Sequence, residues 1–138
     1  MGAAPDDFLP AEVEPSVFGM LLFRKTNHTS DAIVAGKLPC KKVYEDDLVL
    51  AFHDINPVAP VHILLIPKQR DGLSRLSRAD EHNEKVLGHM MVKVAQIVRE
   101  NDIKDFRLVV NNGPTAGQEV YHLHLHIIAG RKMSWPPG

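Results

Sequence analysis

The sequence predicts an α+β domain: a mostly antiparallel sheet of five strands with one long helix and one short one. Three observations predict it. Short apolar stretches, several alternating with a period of two as half-buried strands do, lie on both sides of the chain's middle. Between them one long segment, residues 78–101, repeats its apolar side chains at i, i+3, i+4 and i+7. The links are short, and the strands are grouped before and after the long helix rather than alternating with helices.

Residues 1–28 read as an acidic leader. Asp6, Asp7, Glu12 and Glu14 precede any Lys or Arg, and Pro5, Pro10 and Pro15 punctuate the run. Its apolar patch, residues 17–23, could dock on the body. The domain proper is expected over 29–138. A short helix is expected over 31–35, stopped by Gly36 with Pro39 beyond.

Residues 42–45 and 48–53 read as two strands around an Asp46-Asp47 turn. In the second, Leu48, Leu50 and Phe52 would share one face, and Val49, Ala51 and His53 the other. A proline-bounded turn over 56–60 leads to residues 61–66, an apolar run interrupted only by His62 and the best central strand. Ser77, with Asp80 three residues on, offers a cap for the long helix. The helix would carry Leu87, Met90, Met91, Val94, Ile97 and Val98 on one side, and Lys85, His89, Lys93, Gln96 and Glu100 on the other. That apolar stripe suits packing on a sheet, or a contact with a second helix in a dimer. Residues 106–111 form another strand, broken by Asn112-Gly113-Pro114, and residues 121–129 form the last.

Composition excludes several function classes. The formal charge is -1, from 16 basic and 17 acidic residues, so no general nucleic-acid or membrane-surface binder is indicated. One pocket for a small anion needs only local positive potential. The single cysteine, Cys40, rules out an internal disulfide framework and fits a reducing compartment. No apolar run nears the roughly 20 residues that span a bilayer. The expected location is the cytoplasm, with the nucleus accessible to a chain this small.

The last strand carries the chemistry. His122, His124 and His126 alternate with Leu123, Leu125 and Ile127. In an extended strand the three imidazoles would line one face. A lone histidine is most often a satisfied structural side chain, but burying three together without use desolvates polar groups for no gain. Two chemistries suit such a row. Alternate imidazoles can ligate zinc, although the motif includes no carboxylate or cysteine. A neutral imidazole nitrogen can instead attack phosphorus. The loop before the strand favours the second, because Gly117 and Gln118 could bring free backbone N–H groups close to phosphate oxygens.

The stretch Tyr121-His122-Leu123-His124-Leu125-His126-Ile127-Ile128 resembles the signature of the histidine-triad (HIT) superfamily. Tyr44-Glu45-Asp46-Asp47, Ala51-Phe52-His53-Asp54-Ile55, Pro60-Val61-His62, Ile66-Pro67-Lys68, Val110-Asn111 and Gly117-Gln118 extend the likeness. The ending, Gly130-Arg131-Lys132-Met133-Ser134-Trp135-Pro136-Pro137-Gly138, is similar to the tail of the nucleotide-binding branch that acts as purine nucleoside phosphoramidases. The resemblance runs from Asp31 to Gly138.

It implies a HIT-like fold, paired into a continuous sheet across a homodimer, and an enzyme that hydrolyses purine nucleoside 5'-phosphoramidates, including nucleotidylated amines. His124 would be the nucleophile. His126 would contact the phosphate and help protonate the leaving amine, with His122 and His62 holding the nucleophile's tautomer and orientation. Asp54 would bind ribose, and Phe52, His53 and Ile55 would wall the purine. Asn111, Gly117, Gln118, Glu119 and Val120 would surround the phosphate. Trp135 lies on a tail that, in the family, crosses toward the partner's site. No cofactor, metal, nucleic acid or membrane is implied. The related alternatives are a dinucleoside polyphosphate hydrolase and a nucleotide-binding regulatory or scaffold protein with incidental catalysis. This chain departs from the family pattern twice: residues 30–34 lack an aromatic that many members place there, and Glu119 stands where animal members of the branch have Ser.

Overall fold

The computed structural model describes residues 41–138. The acidic leader, the expected helix over 31–35 and Cys40 lie outside the described residues. The described residues form five strands: β1 (Lys42–Glu45), β2 (Val49–His53), β3 (Val61–Pro67), β4 (Phe106–Val109) and β5 (Leu125–Ala129). One α-helix, α1 (Glu84–Glu100), stands between β3 and β4. The sheet order is β1-β2-β3-β5-β4 and every neighbouring pair is antiparallel. The expected α+β class with a five-stranded antiparallel sheet is what the chain forms.

The two faces of the sheet divide the labour. Residues directly opposite in antiparallel strands share a face. Ala51, Leu65 and Leu125 pair across β2, β3 and β5 and, with Val49, Ile63 and Ile127, meet Met90, Val94, Ile97 and Val98 of α1 in one core. The neighbouring row, Phe52, Leu64, His126 and Val109, lies on the opposite face. His62 pairs with Ile128 and so shares that second face with His126. The apolar half of each strand anchors the helix layer, and the other half carries the histidines.

Several boundaries differ from those read in the sequence. The cap of the helical segment is Asp80, not Ser77. Asp80 and Asn83 form a reciprocal box: Asn83 Oδ1 accepts from the Asp80 N–H at 3.0 Å, and the Asp80 carboxylate accepts from the His82 N–H. A 3₁₀ turn, Glu81–Asn83, then leads into α1. The Ser77 N–H donates to Asn112 Oδ1 at 2.8 Å, tying this segment to the loop after β4. Met91 is 55% exposed, so it leaves the expected stripe and the face turns toward Met90 and Val94.

Two local arrangements make the sheet possible. Asp46 organises the β1–β2 turn and anchors it to α1. Its carboxylate accepts from the Leu48 and Val49 N–H groups, the Tyr44 hydroxyl and His89 Nε2, all within 2.9 Å. At the far end of β3, Gly130 (φ +93°) faces Pro60; a Cβ there would lie 2.8 Å from the Pro60 Cβ. Only glycine fits that close approach with that backbone.

Candidate functional site

β5 begins at Leu125, not at Tyr121, and this changes what the three histidines do. β3 pairs with β5 only as far as Leu65 and Leu125. Beyond that point the Leu123 N–H donates to Leu73 O at 2.8 Å, away from the ladder. His122 takes a strand-like role with its side chain instead: its ring Nε2 lies 2.7 Å from Pro67 O, the carbonyl that ends β3. The ring is fully buried and does not line the pocket. The expectation of three imidazoles on one face of a regular strand therefore fails: β5 includes only His126, and of the three only His124 and His126 reach the cavity, because the chain joins the β3 ladder only after His124.

His124 and His126 do come together, with ring centroids 5.1 Å apart, and His62 joins them at 5.2 Å from His126. The partners of these rings define their proton positions. A carbonyl can only accept, so His124 Nδ1, 2.7 Å from His122 O, carries the hydrogen. In the neutral ring the lone pair is then on His124 Nε2. A backbone N–H can only donate, so His62 Nδ1, 3.1 Å from the Val58 N–H, carries a lone pair. His62 therefore has its hydrogen on Nε2 and gives it to His126 Nδ1 at 2.9 Å. His126 is left with its own hydrogen on Nε2. Two adjacent imidazoles thus present opposite characters, a basic nitrogen on His124 and an N–H on His126.

Asp54 backs this chain. Its Oδ2 lies 3.3 Å from His62 Nε2, its Oδ1 accepts from the Asn56 N–H at 2.8 Å, and it is 5% exposed. Asp54, His62 and His126 bring three ligand-type atoms within 4.8 Å of one another. That set could be read as a metal site. A metal on His62 Nε2 would, however, need the nitrogen that the Val58 bond makes the protonated one, and the residues fit a proton relay better.

A cavity of about 220 Å³ opens onto the rings. Seven of the expected residues line it: His62, Asn111, Gly117, Glu119, Val120, His124 and His126. Phe52, Asp54 and Gln118 are buried outside its lining, as is His122. His53 is exposed at the end of β2, Ile55 is half-buried, and Trp135 is 81% exposed with the Arg107 guanidinium 5.9 Å from its ring centroid. None of these three lines the cavity. Val58, Val109 and Ile128 line it without having been read from the sequence. Ile128 was accessible to the two-residue alternation that singled out His126. Val109 needed the β4–β5 register, and Val58 the turn that aims its N–H at His62.

The loop before the histidines is built differently from expectation. A 3₁₀ turn, Pro114–Ala116, ends at Gly117 in left-handed conformation. The Gly117 N–H donates to Pro114 O and the Gln118 N–H to Gly113 O, both at 3.0 Å, so neither is free for a ligand. The Gln118 amide is a clamp. Its Oε1 accepts from the Gly113 N–H at 2.8 Å, and its Nε2 donates to Ser74 O at 2.8 Å and Val120 O at 3.0 Å. Those bonds hold the loop that carries Glu119 and Val120 to the cavity's edge.

Comparison with known proteins places this geometry among relatives. The family model described as "HIT domain" matches residues 35–133. The chain is similar to the "14 kDa zinc-binding protein" of Zea mays, at 46% identity over 109 residues, covering 78% of this chain and 85% of that protein. It is also similar to "Adenylylsulfatase HINT1" of Arabidopsis thaliana, at 49% identity over 109 residues, covering 78% and 74%. Among solved structures, the HIT family hydrolase from Legionella pneumophila superposes with a TM-score of 0.69 at 35% identity, over 85% of this chain and 98% of that one.

Proposed function

The chain belongs to the HIT domain family, and from that premise we propose that it is a nucleotide hydrolase acting on purine nucleoside 5'-phosphoramidates through a nucleotidyl-His124 intermediate. The opposed tautomers of His124 and His126 are the observation that carries this reading. His124 Nε2 attacks the α-phosphorus with its lone pair. The phosphorus–nitrogen bond breaks and its electron pair goes to the amine, which takes the His126 Nε2 hydrogen. His124 becomes positively charged as it bonds to phosphorus. That charge balances the one left on the His62–His126 pair, and the His122 carbonyl, 2.7 Å from His124 Nδ1, stabilises it. Water then attacks the phosphorus, returns one proton to His126 and releases His124 with its lone pair restored. The products are a nucleoside monophosphate and an amine.

The other roles follow the cavity. Asn111, Glu119 and Val120 border it, and Asn111 with the N–H groups of that loop segment would meet the phosphate oxygens. Gly117 turns that loop at the cavity's edge, and Gln118 shapes it from behind. Asp54 would bind ribose only if the sugar reached past His62, and its carboxylate's place beside His62 supports a role in the relay. Phe52, His53, Ile55 and Trp135 would surround the base or leaving group from outside the present lining. Zinc, named in the maize relative, has no part in this reading. The proposal includes a homodimer in the cytoplasm. β4 is an edge strand of the sheet, and the exposed Phe106 and Trp135 near it support pairing there. No described helix is long and apolar enough to cross a membrane.

A second reading comes from the Arabidopsis relative, whose name specifies an adenylylsulfatase. The same attack at the α-phosphorus would then expel sulfate instead of an amine. One experiment tests the shared core: acid-quenched mass spectrometry during turnover of an adenosine phosphoramidate. The expected result is a nucleotide adduct on His124, absent in His124→Ala and His124→Asn, with turnover reduced by at least about 10³-fold. Wild-type-like turnover by either variant would overturn the reading.

A further inference from the structure

We infer that Glu119 selects the charge of the leaving group, favouring cationic amines over uncharged ones and disfavouring sulfate or polyphosphate. This rests on the reading above and goes beyond it to a determinant of specificity. Among the ten described residues that line the catalytic cavity, Glu119 is the one with a formal charge at neutral pH. The rest are histidines, one asparagine, one glycine and aliphatic side chains. Arg75, which packs over the Tyr121 ring at 5.3 Å, does not join the lining. Among the described residues that line this cavity, Glu119 is thus the one that carries a carboxylate, and no Lys or Arg joins it.

Position decides what that carboxylate can do. His124 and His126 are each 6% exposed and form the floor, whereas Glu119 is exposed at the rim. The phosphorus must reach the floor to be attacked. The group expelled from it leaves toward solvent, the side on which Glu119 is exposed. A carboxylate there repels a departing anion and attracts an ammonium group carried by the amine. Gln118 fixes the backbone beneath it through Gly113, Ser74 and Val120, so Glu119 is held at that edge by a clamped loop. An amine with a second, protonated amino group, such as a lysine side-chain adduct, has the complementary charge.

The test compares adenosine phosphoramidates of three amines of similar size, one with a distal ammonium, one uncharged and one with a distal carboxylate, with adenylyl sulfate as a fourth substrate. For the wild-type chain kcat/KM should fall in that order from cationic to anionic. Glu119→Gln should compress each cationic-to-uncharged ratio by roughly two- to fivefold, the range of an exposed charge pair. Glu119→Asp should keep the preference, and added salt should compress the wild-type ratio without any substitution. Unchanged ratios in Glu119→Gln and across the salt series, with phosphoramidates still hydrolysed, would overturn the selection alone. No turnover of any phosphoramidate would overturn the phosphoramidase reading and the selection together.

Discussion

At the scale of single residues, hydrogen-bond direction does more than proximity. His124 and His126 are chemically identical side chains two positions apart, yet one contacts a carbonyl and the other a protonated imidazole nitrogen. Those partners give one ring a lone pair and the other an N–H, the pairing that the proposed displacement of an amine requires. The distinction makes a specific prediction. His126→Asn should slow phosphoramidate hydrolysis by about 10²–10⁴-fold, the usual worth of a general acid. It should slow adenylyl sulfate hydrolysis much less, because sulfate leaves without a proton. Equal losses on both substrates, measured as kcat/KM, would remove His126 from the acid's role. Gln118 teaches the same lesson from the other side: its position beside the site is legible in sequence, but its three backbone contacts make it a clamp.

At the scale of elements, the turn between β1 and β2 is tied to α1 through one carboxylate. Burial alone would raise the Asp46 carboxyl, but hydrogen bonds from Tyr44, His89, Leu48 and Val49 outweigh it and hold the group well below the usual carboxylate range. A carboxyl depressed in the folded state stabilises the fold above its unfolded value and loses that contribution as pH falls toward its folded value. Asp46→Asn should therefore cost on the order of 1–3 kcal/mol at neutral pH. The difference from wild type should shrink as pH drops below about 4. Denaturant midpoints across pH would check it, and a gap that stayed constant would refute the assignment. Sequence placed this turn correctly, since Asp46-Asp47 lies between two alternating runs, but it could not show the helix histidine that completes the cage.

At the scale of the whole molecule, the sheet's two faces allocate packing and chemistry, and the edge that β4 forms among the described residues bears on assembly. β4 ends the sheet with Phe106 at 39% exposure and Trp135 nearby at 81%. Exposed aromatic surface beside an edge strand that no other described strand covers is a surface that another chain can cover. The proposed homodimer predicts a light-scattering mass near twice the 15.4 kDa of the chain. Phe106→Lys, placing a charge on that edge, should shift the population toward monomer. A wild-type mass of one chain at micromolar concentration would remove the dimer from the account.

Sequence by itself determined the class of fold, the five strands and the long helix, because periodicity of two or 3.6 is a local property that burial reads directly. It also carried the family, through the alternation around His124 and the motifs that extend it. It misplaced the start of β5 because Leu73, far back in the chain, takes the Leu123 N–H, and it misplaced the helix cap and the loop's N–H groups because Asp80 and the 114–118 turn close on near neighbours in a way that composition does not reveal. The resemblance implied the roles of His122, His124 and His126; only the tertiary structure showed which atom faces each ring, His62 Nε2 against His126 and the Pro67 carbonyl against His122. The acceptor that sets His124's tautomer lies two residues before it, but the ring that sets His126's lies 64 residues away, and no spacing along a chain encodes a partner that only folding brings against it.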